Sequence, residues 1–250
     1  MTETALRAAR PAAPASGPPT PPAKRWDWRP KLRWFASEYL IVVLGVLTAV
    51  ALNAWWQGRQ DRALETRSLR EVRDALARDL PDIRWNAGFH ERSRDSARLL
   101  REHLRARRPY SDTLDAHFGH VLGSTFSIRD ETAYETLKQR GLDTVTDDSL
   151  RVAIGHVYGV SYPALILNQA WLGTYVHEQE VPFYGAHFRD LRWGETATPV
   201  DYDALLDATE YAAILDWGTG QDAFLADWAR DLDAEVTALI ARIDAELSRR

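Results

Sequence analysis

Residues Tyr39 to Trp56 read YLIVVLGVLTAVALNAWW, eighteen positions without one ionised side chain. As a helix, the segment from Trp34 to Trp56 rises roughly 33 Å, enough to cross a hydrocarbon core of about 30 Å with some tilt. Aromatic residues crowd both ends of the run. Trp26, Trp28, Trp34, Phe35 and Tyr39 precede or open it, and Trp55 and Trp56 close it, where amphipathic rings favour the headgroup layer. A buried core helix would interrupt its apolar positions more often; here only Thr48 and Asn53 do so. A cleaved secretory signal is the rival reading, because Ala49-Val50-Ala51 satisfies the small-x-small rule. Against it, thirty-eight residues precede Tyr39 and a helical pattern continues past Trp56. The expectation is a retained transmembrane helix over residues 34–56.

Outward from the span, residues 1–33 divide into a tail that cannot bury a core and a collar. Residues 1–24 are rich in Ala and Pro and predict a disordered tail. Lys24, Arg25, Arg29, Lys31 and Arg33 then interleave with tryptophans as a basic and aromatic collar suited to an anionic leaflet. Five arginines, Arg59, Arg62, Arg67, Arg70 and Arg73, follow the other end of the span. The collar abuts the span directly, and this favours a cytoplasmic N-terminus with residues 57–250 outside the cytoplasmic membrane.

Past Trp56, Leu69, Val72, Leu76, Leu80 and Ile83 recur at three-and-four spacing, predicting a helical stalk supported by Asp74 and Arg78 at i and i+4. Pro81 is expected to kink or break it. A second helix follows from about Ile83 to Arg107 with Trp85, Phe89, Leu100 and Leu104. Ser111 or Asp112 caps a short helix carrying Leu114, Phe118, Val121 and Leu122. Another runs from Asp130 to Gly141. Asp147 or Asp148 caps a long stretch to about Val181, with a bend at Pro163. Residues 182–199 read as irregular and Gly218-Thr219-Gly220 as a turn. Leu225, Trp228, Leu232, Val236, Leu239, Ile243 and Leu247 make the stripe of a bundle or coiled-coil seam. With no alternating strand, the fold class is all-α: a transmembrane helix, a stalk and an extramembrane helical bundle.

The chain lacks cysteine, which excludes disulfides, thiolate zinc sites and cysteine nucleophiles. Its net charge of −5 is split: residues 1–108 hold 21 Lys or Arg against 12 Asp or Glu, and residues 109–250 hold 10 against 24. The halves, +9 and −14, predict that the last helix packs beside the basic helices between Arg59 and Arg107. The acidic half also argues against nucleic acid as a partner.

Two stretches resemble a bacterial family of single-pass membrane proteins, the domain of unknown function 6090 family. One is Glu38-Tyr39-Leu40-Ile41-Val42-Val43-Leu44-Gly45-Val46-Leu47-Thr48-Ala49 with Asn53 and Trp55. The other is Thr132-Ala133-Tyr134-Glu135-Thr136-Leu137-Lys138-Gln139-Arg140-Gly141-Leu142, followed by Asp147-Asp148-Ser149-Leu150-Arg151. The resemblance covers most of residues 35–160. It implies an N-terminal span and a helical domain, and brings no activity, cofactor or catalytic residue.

Glu38, Gly45, Ala49 and Asn53, spaced by seven, four and four, share one helical face of the span. Gly45 and Ala49 form a small-xxx-small pair suited to self-association, and Asn53 adds a polar group. His117 and His120, near Asp115, have the i, i+3 spacing of helical metal ligands, and His177-Glu178-Gln179-Glu180 adds further donors without being an H-E-x-x-H motif. No G-x-S-x-G, phosphate loop or dinucleotide fingerprint occurs. Tyr158, Tyr162, Trp171 and Tyr175, with Phe183, Tyr184, Phe188 and Trp193, read as core aromatics or as a ligand pocket. The sequence thus favours a non-enzymatic membrane-anchored sensing, scaffold or partner-binding module, without cofactor, touching lipid and an unidentified protein. The competing class is a membrane-tethered enzyme or metal-binding protein using His117/His120 or His177/Glu180.

Overall fold

The computed structural model describes the backbone of residues 29–249 and side chains from Glu38 onward. The Pro/Ala-rich tail and the collar side chains from Lys24 to Phe35 lie outside the described residues. The chain divides into two compact units at Trp56 and Gln57. Helix α1 is assigned over Arg29–Arg105. In the first unit none of the residues from Glu38 to Trp56 is buried. Thr48 donates its hydroxyl to the Leu44 carbonyl at 2.7 Å, so this hydroxyl is satisfied within its own helix.

The second unit is mostly helical. After α1 come α2 (Asp115–Val121), α3 (Thr132–Arg140) and a forty-residue helical run made of α4 (Asp148–His156), α5 (Tyr162–Tyr175) and α6 (Val181–His187). Single π turns, Val157–Ser161 and Val176–Glu180, join the three pieces. Each π turn stands just before a proline, Pro163 or Pro182, whose missing N–H cannot serve the regular ladder. The last helices are α7 (Tyr202–Leu206) and α8 (Thr209–Ser248).

One core cluster joins Leu69, Val72, Leu76 and Ile83 of α1 to Leu150 and Ile154, to Leu165 and Leu172, and to Leu225, Leu232, Val236, Leu239 and Ile243 of α8. A second gathers Leu100, Phe118, Phe183, Tyr184, Phe188 and Tyr211 around the opposite end of α1. The charge split has its expected outcome: Arg73 pairs with Asp244 at 3.0 Å, Arg84 with Asp233 at 2.8 Å, and Arg101 with Asp216. From the first pair to the second is eleven residues on each helix, and from the second to the third is seventeen on each. The helices are antiparallel without slippage. The eleven-residue step approximates three whole helical turns, which keeps Arg73 and Arg84 along one edge.

Several sequence expectations need correction. Pro81 does not end α1. Its cost of about 3 kcal/mol in a helix interior is offset by Leu76 and Ile83, fully buried on either side of it in one core, each worth about 1.5–3 kcal/mol. Gly218 and Gly220 lie inside α8, not in a turn; Tyr211, Ile214 and Leu215 before them and Leu225 and Ala226 after them are buried and hold the helix through that weak stretch. Arg78 reaches Asp130 at 2.7 Å instead of Asp74, and Trp85 faces solvent.

Residues expected to be irregular form an antiparallel pair, β1 (Phe188–Arg192) and β2 (Thr196–Pro199), with Phe188 opposite Pro199. The register is irregular between Arg189 and Arg192, where Asp190 has φ 53°. The pair forms because Phe188 and Ala197 are buried and because α2 presents Gly119. A Cβ there would stand 2.0 Å from the Thr196 nitrogen, so only glycine admits β2.

Candidate functional site

The four residues named for an interaction face lie in the first unit, on α1. Glu38, Gly45, Ala49 and Asn53 are exposed, and a Cβ added at Gly45 would meet nothing within 4 Å.

Among the described residues, no third His, Asp or Glu joins His117 and His120. His117 and His120 both turn Nδ1 toward the Ser96 hydroxyl, at 3.1 and 3.2 Å. That hydroxyl has one hydrogen, so it donates to one ring and accepts from the other. Burial, His117 and the nearby Arg92 all hold the His120 pKa below its ordinary value. Asp115 is engaged elsewhere, accepting from Tyr110 at 2.7 Å and Thr198 at 2.6 Å. His177 is exposed whereas Glu180 is buried, so these two part company. Among the described residues no three His, Asp or Glu side chains gather as a metal site.

What the fold does assemble is a buried polar seam. Beyond Leu76 the inward stripe of α1 turns polar at Asp79, Asn86, His90 and Ser93, all buried. In its first half every carboxylate and amide is used. Asp79 accepts from the Tyr162 hydroxyl at 2.9 Å and from the Asp130 N–H at 3.1 Å; burial raises its pKa, and those two donors oppose the rise. The Asn86 oxygen accepts from Thr125 at 2.8 Å and from the Gln169 amide at 3.0 Å. Its nitrogen donates to the Asp82 carbonyl at 2.8 Å.

The second half is different. Asp222 of α8 accepts from His90 Nδ1 at 2.7 Å and from the Ser93 hydroxyl at 2.5 Å. A carboxylate only accepts, which places the imidazole proton on Nδ1. Two buried atoms beside this group lack a hydrogen-bond partner among the described residues, His90 Nε2 and Glu180 Oε2. Burial, reinforced by the Asp222 charge and opposed by the Gly123 N–H, pushes the Glu180 pKa up to about 8. Ser93, His90 and Asp222 do not form a nucleophile and base: the hydroxyl lies on the carboxylate and not on Nε2, and all three are buried. Of these groups Glu180 is the one that burial disposes to keep a proton.

Outside this cluster lies an aromatic groove of about 740 Å³. Trp171, 72% exposed, and Leu167 flank it. Tyr175 of α5 stacks on Trp217 of α8 at 3.6 Å between ring centres. The groove and the cluster share chain segments. The π turn Val176–Glu180 gives Glu178 and Gln179 to the groove and sends Glu180 inward; on α8 Gln221 lines the groove while Asp222 faces His90. Of the aromatics named from sequence, Tyr158, Tyr162, Phe183, Tyr184 and Phe188 are core, and Trp171 and Trp193 are exposed.

Comparison with protein-family models, curated proteins and solved structures finds no match to this chain.

Glu180 gives the domain a pH signature. Its pKa rises from 4.5 to about 8 on folding, so the folded state keeps a proton that the unfolded state has lost between those values. The contribution of Glu180 to stability is therefore most favourable below about pH 4.5, declines as pH rises, and bears the full cost above about 8. A shift of that size corresponds to roughly 3–5 kcal/mol. Glu180→Gln, which keeps an acceptor for Gly123, is expected to raise the melting temperature at pH 8 and above and to flatten its decline from pH 5. Thermal melts across that range check this, and an unchanged slope would show that Glu180 does not carry the proton.

Proposed function

We propose that this chain is a single-pass, membrane-anchored helical module that acts by binding and not by catalysis. The observation that carries the reading is the exposure of the apolar run: none of Glu38 to Trp56 is buried, while the second unit closes its core clusters from residues 69–243 alone. An exposed run of that length is insoluble in water and stable in lipid. The forty-residue run Asp148–His187 is also long and apolar enough to cross a membrane. Its inward stripe of Leu150, Ile154, Leu165 and Leu172 packs into the first core cluster, however, which is the part of a core helix.

The aromatic groove supports binding as the activity, since an open apolar cleft with stacked rings at its side is the usual form of a recognition site. The proposal includes the layout implied by the domain of unknown function 6090 resemblance: a cytoplasmic N-terminus, an inner-membrane span and an external domain, with the small face at Gly45 and Ala49 available for self-association.

The test uses the intact chain in membranes. It should stay in the pellet after alkaline carbonate washing, and a reporter active only in the cytoplasm should work when fused before Met1 and fail after Arg250. Release by the wash, or mature protein beginning near Leu52, would overturn the anchor; the reverse reporter pattern would overturn the orientation.

A further inference from the structure

Just past the span, α1 and the end of α8 enclose a groove of about 780 Å³ whose charged lining is Arg59, Arg62, Arg70 and Arg249 with Glu65 and Glu246. The four arginines are exposed residues, and Arg62 donates its Nε to the Gly58 carbonyl at 3.2 Å. The two carboxylates are already committed. Glu65 is buried and accepts from the Thr146 N–H at 2.7 Å and its hydroxyl at 2.9 Å. Glu246 pairs with Arg249 at 3.0 Å. Asp61 and Asp143 line the neighbouring hollow instead. A groove with a net charge of +2 and guanidinium donors on both walls is built for an oxyanion, and guanidinium binds phosphate by paired N–H donors.

We infer that this groove binds the phosphate of an anionic phospholipid headgroup. Covalent reach selects lipid over a soluble phosphate. Arg59 is three residues past Trp56, and three residues span at most about 11 Å in any conformation, so the Arg59 end of the groove stays close to the headgroup region that Trp55 and Trp56 would mark. An anionic surface attracts each basic residue held within about a Debye length of it, near 8–10 Å. The inference rests on the membrane-anchor reading.

The absence of cysteine makes the test clean. Ala63→Cys places one thiol in the lining of the groove. The full chain carrying a donor dye there is reconstituted in vesicles of phosphatidylcholine and phosphatidylglycerol, and energy transfer is compared between headgroup-labelled forms of the two lipids. Phosphatidylglycerol should be favoured, by up to about fivefold per arginine, and the preference should fall as salt rises. Replacing Arg62, Arg70 and Arg249 together by Gln should bring the ratio to about one. The Lys triple variant should keep most of it, which separates lost charge from lost fold. Exposed arginines of the hairpin, Arg189 and Arg192, should be replaceable without effect.

A preference that is insensitive to salt, or retained in the Gln triple variant, overturns the groove assignment. If inorganic phosphate abolishes the preference while chloride of equal ionic strength does not, the ligand is free phosphate and the lipid assignment falls. A chain that inserts in both vesicle types without preference overturns this inference alone, and a chain that inserts in neither overturns the anchor and this inference with it.

Discussion

Ending the chain after Gly220 is expected to abolish cooperative folding of the second unit. The missing part of α8 contributes Leu225, Leu232, Val236, Leu239 and Ile243, all essentially fully buried. At about 1.5–3 kcal/mol per side chain their loss amounts to roughly 8–15 kcal/mol, against a typical total stability of about 5–15 kcal/mol. The same truncation strips His90 and Ser93 of their acceptor and leaves both orphaned in the interior. The surface pairs of Arg73 and Arg84 add little, because both arginines are well exposed. Circular dichroism melts and limited proteolysis of the truncated chain in detergent check the expectation. A sharp melt with retained helicity would show that α8 is peripheral and free to pair with another protein.

The second large effect is expected at Asp222. Asp222→Ala removes one carboxylate that serves two buried donors, and breaking a buried pair in this way costs about 3–5 kcal/mol. Asp222→Asn keeps the volume and one acceptor; the Ser93 hydroxyl can reverse and accept from the new amide, so the cost should be nearer 1–2 kcal/mol. The two variants also differ from the parent in pH response. Because the Asp222 charge helps to raise the Glu180 pKa, neutralising it should lower that pKa and end the alkaline decline in stability at a lower pH. Melting temperature against pH for the parent and Asp222→Asn measures this. Superimposable slopes would falsify the coupling between the two carboxyl groups.

How much of this was legible in the sequence depended on whether the deciding interaction is local. The apolar run and the stripes on α1 and α8 repeat with the helical period and announce themselves. Pro81, Gly218 and Gly220 mislead because their local preferences are outvoted by buried neighbours that belong to other helices. The hairpin escaped notice because its strands are short and one residue, Gly119, admits β2 from a distant helix. The polar seam did leave a trace. Asp79, Asn86, His90 and Ser93 continue the phase of Leu69, Val72 and Leu76, and Asp222 continues that of Leu225, so each is a polar group on a buried stripe. Glu180 likewise follows Leu165, Leu172 and Val176 at helical spacing. Which of them would meet was not legible, since His90 and Asp222 are 132 positions apart. The i, i+3 histidines drew attention by proximity in the chain, and proximity in the chain was the wrong guide.

The unslipped antiparallel pairing of α1 with α8 also bears on how the molecule is made. Arg73 and Asp244 are 171 positions apart, so the first residues of the stalk meet their partners only when almost the whole chain has been synthesised. At about 5–20 residues per second, the interval between emergence of Trp56 and of Ile243 is on the order of 10–40 seconds. Through that time Leu69, Val72 and Leu76 have no α8 to cover them, while the span is already able to partition into lipid. On the proposed anchor reading, membrane capture comes first and closure of the domain last. A chain anchored in the way proposed would be most exposed to aggregation and proteolysis after tethering, at the bilayer surface and not in bulk solution.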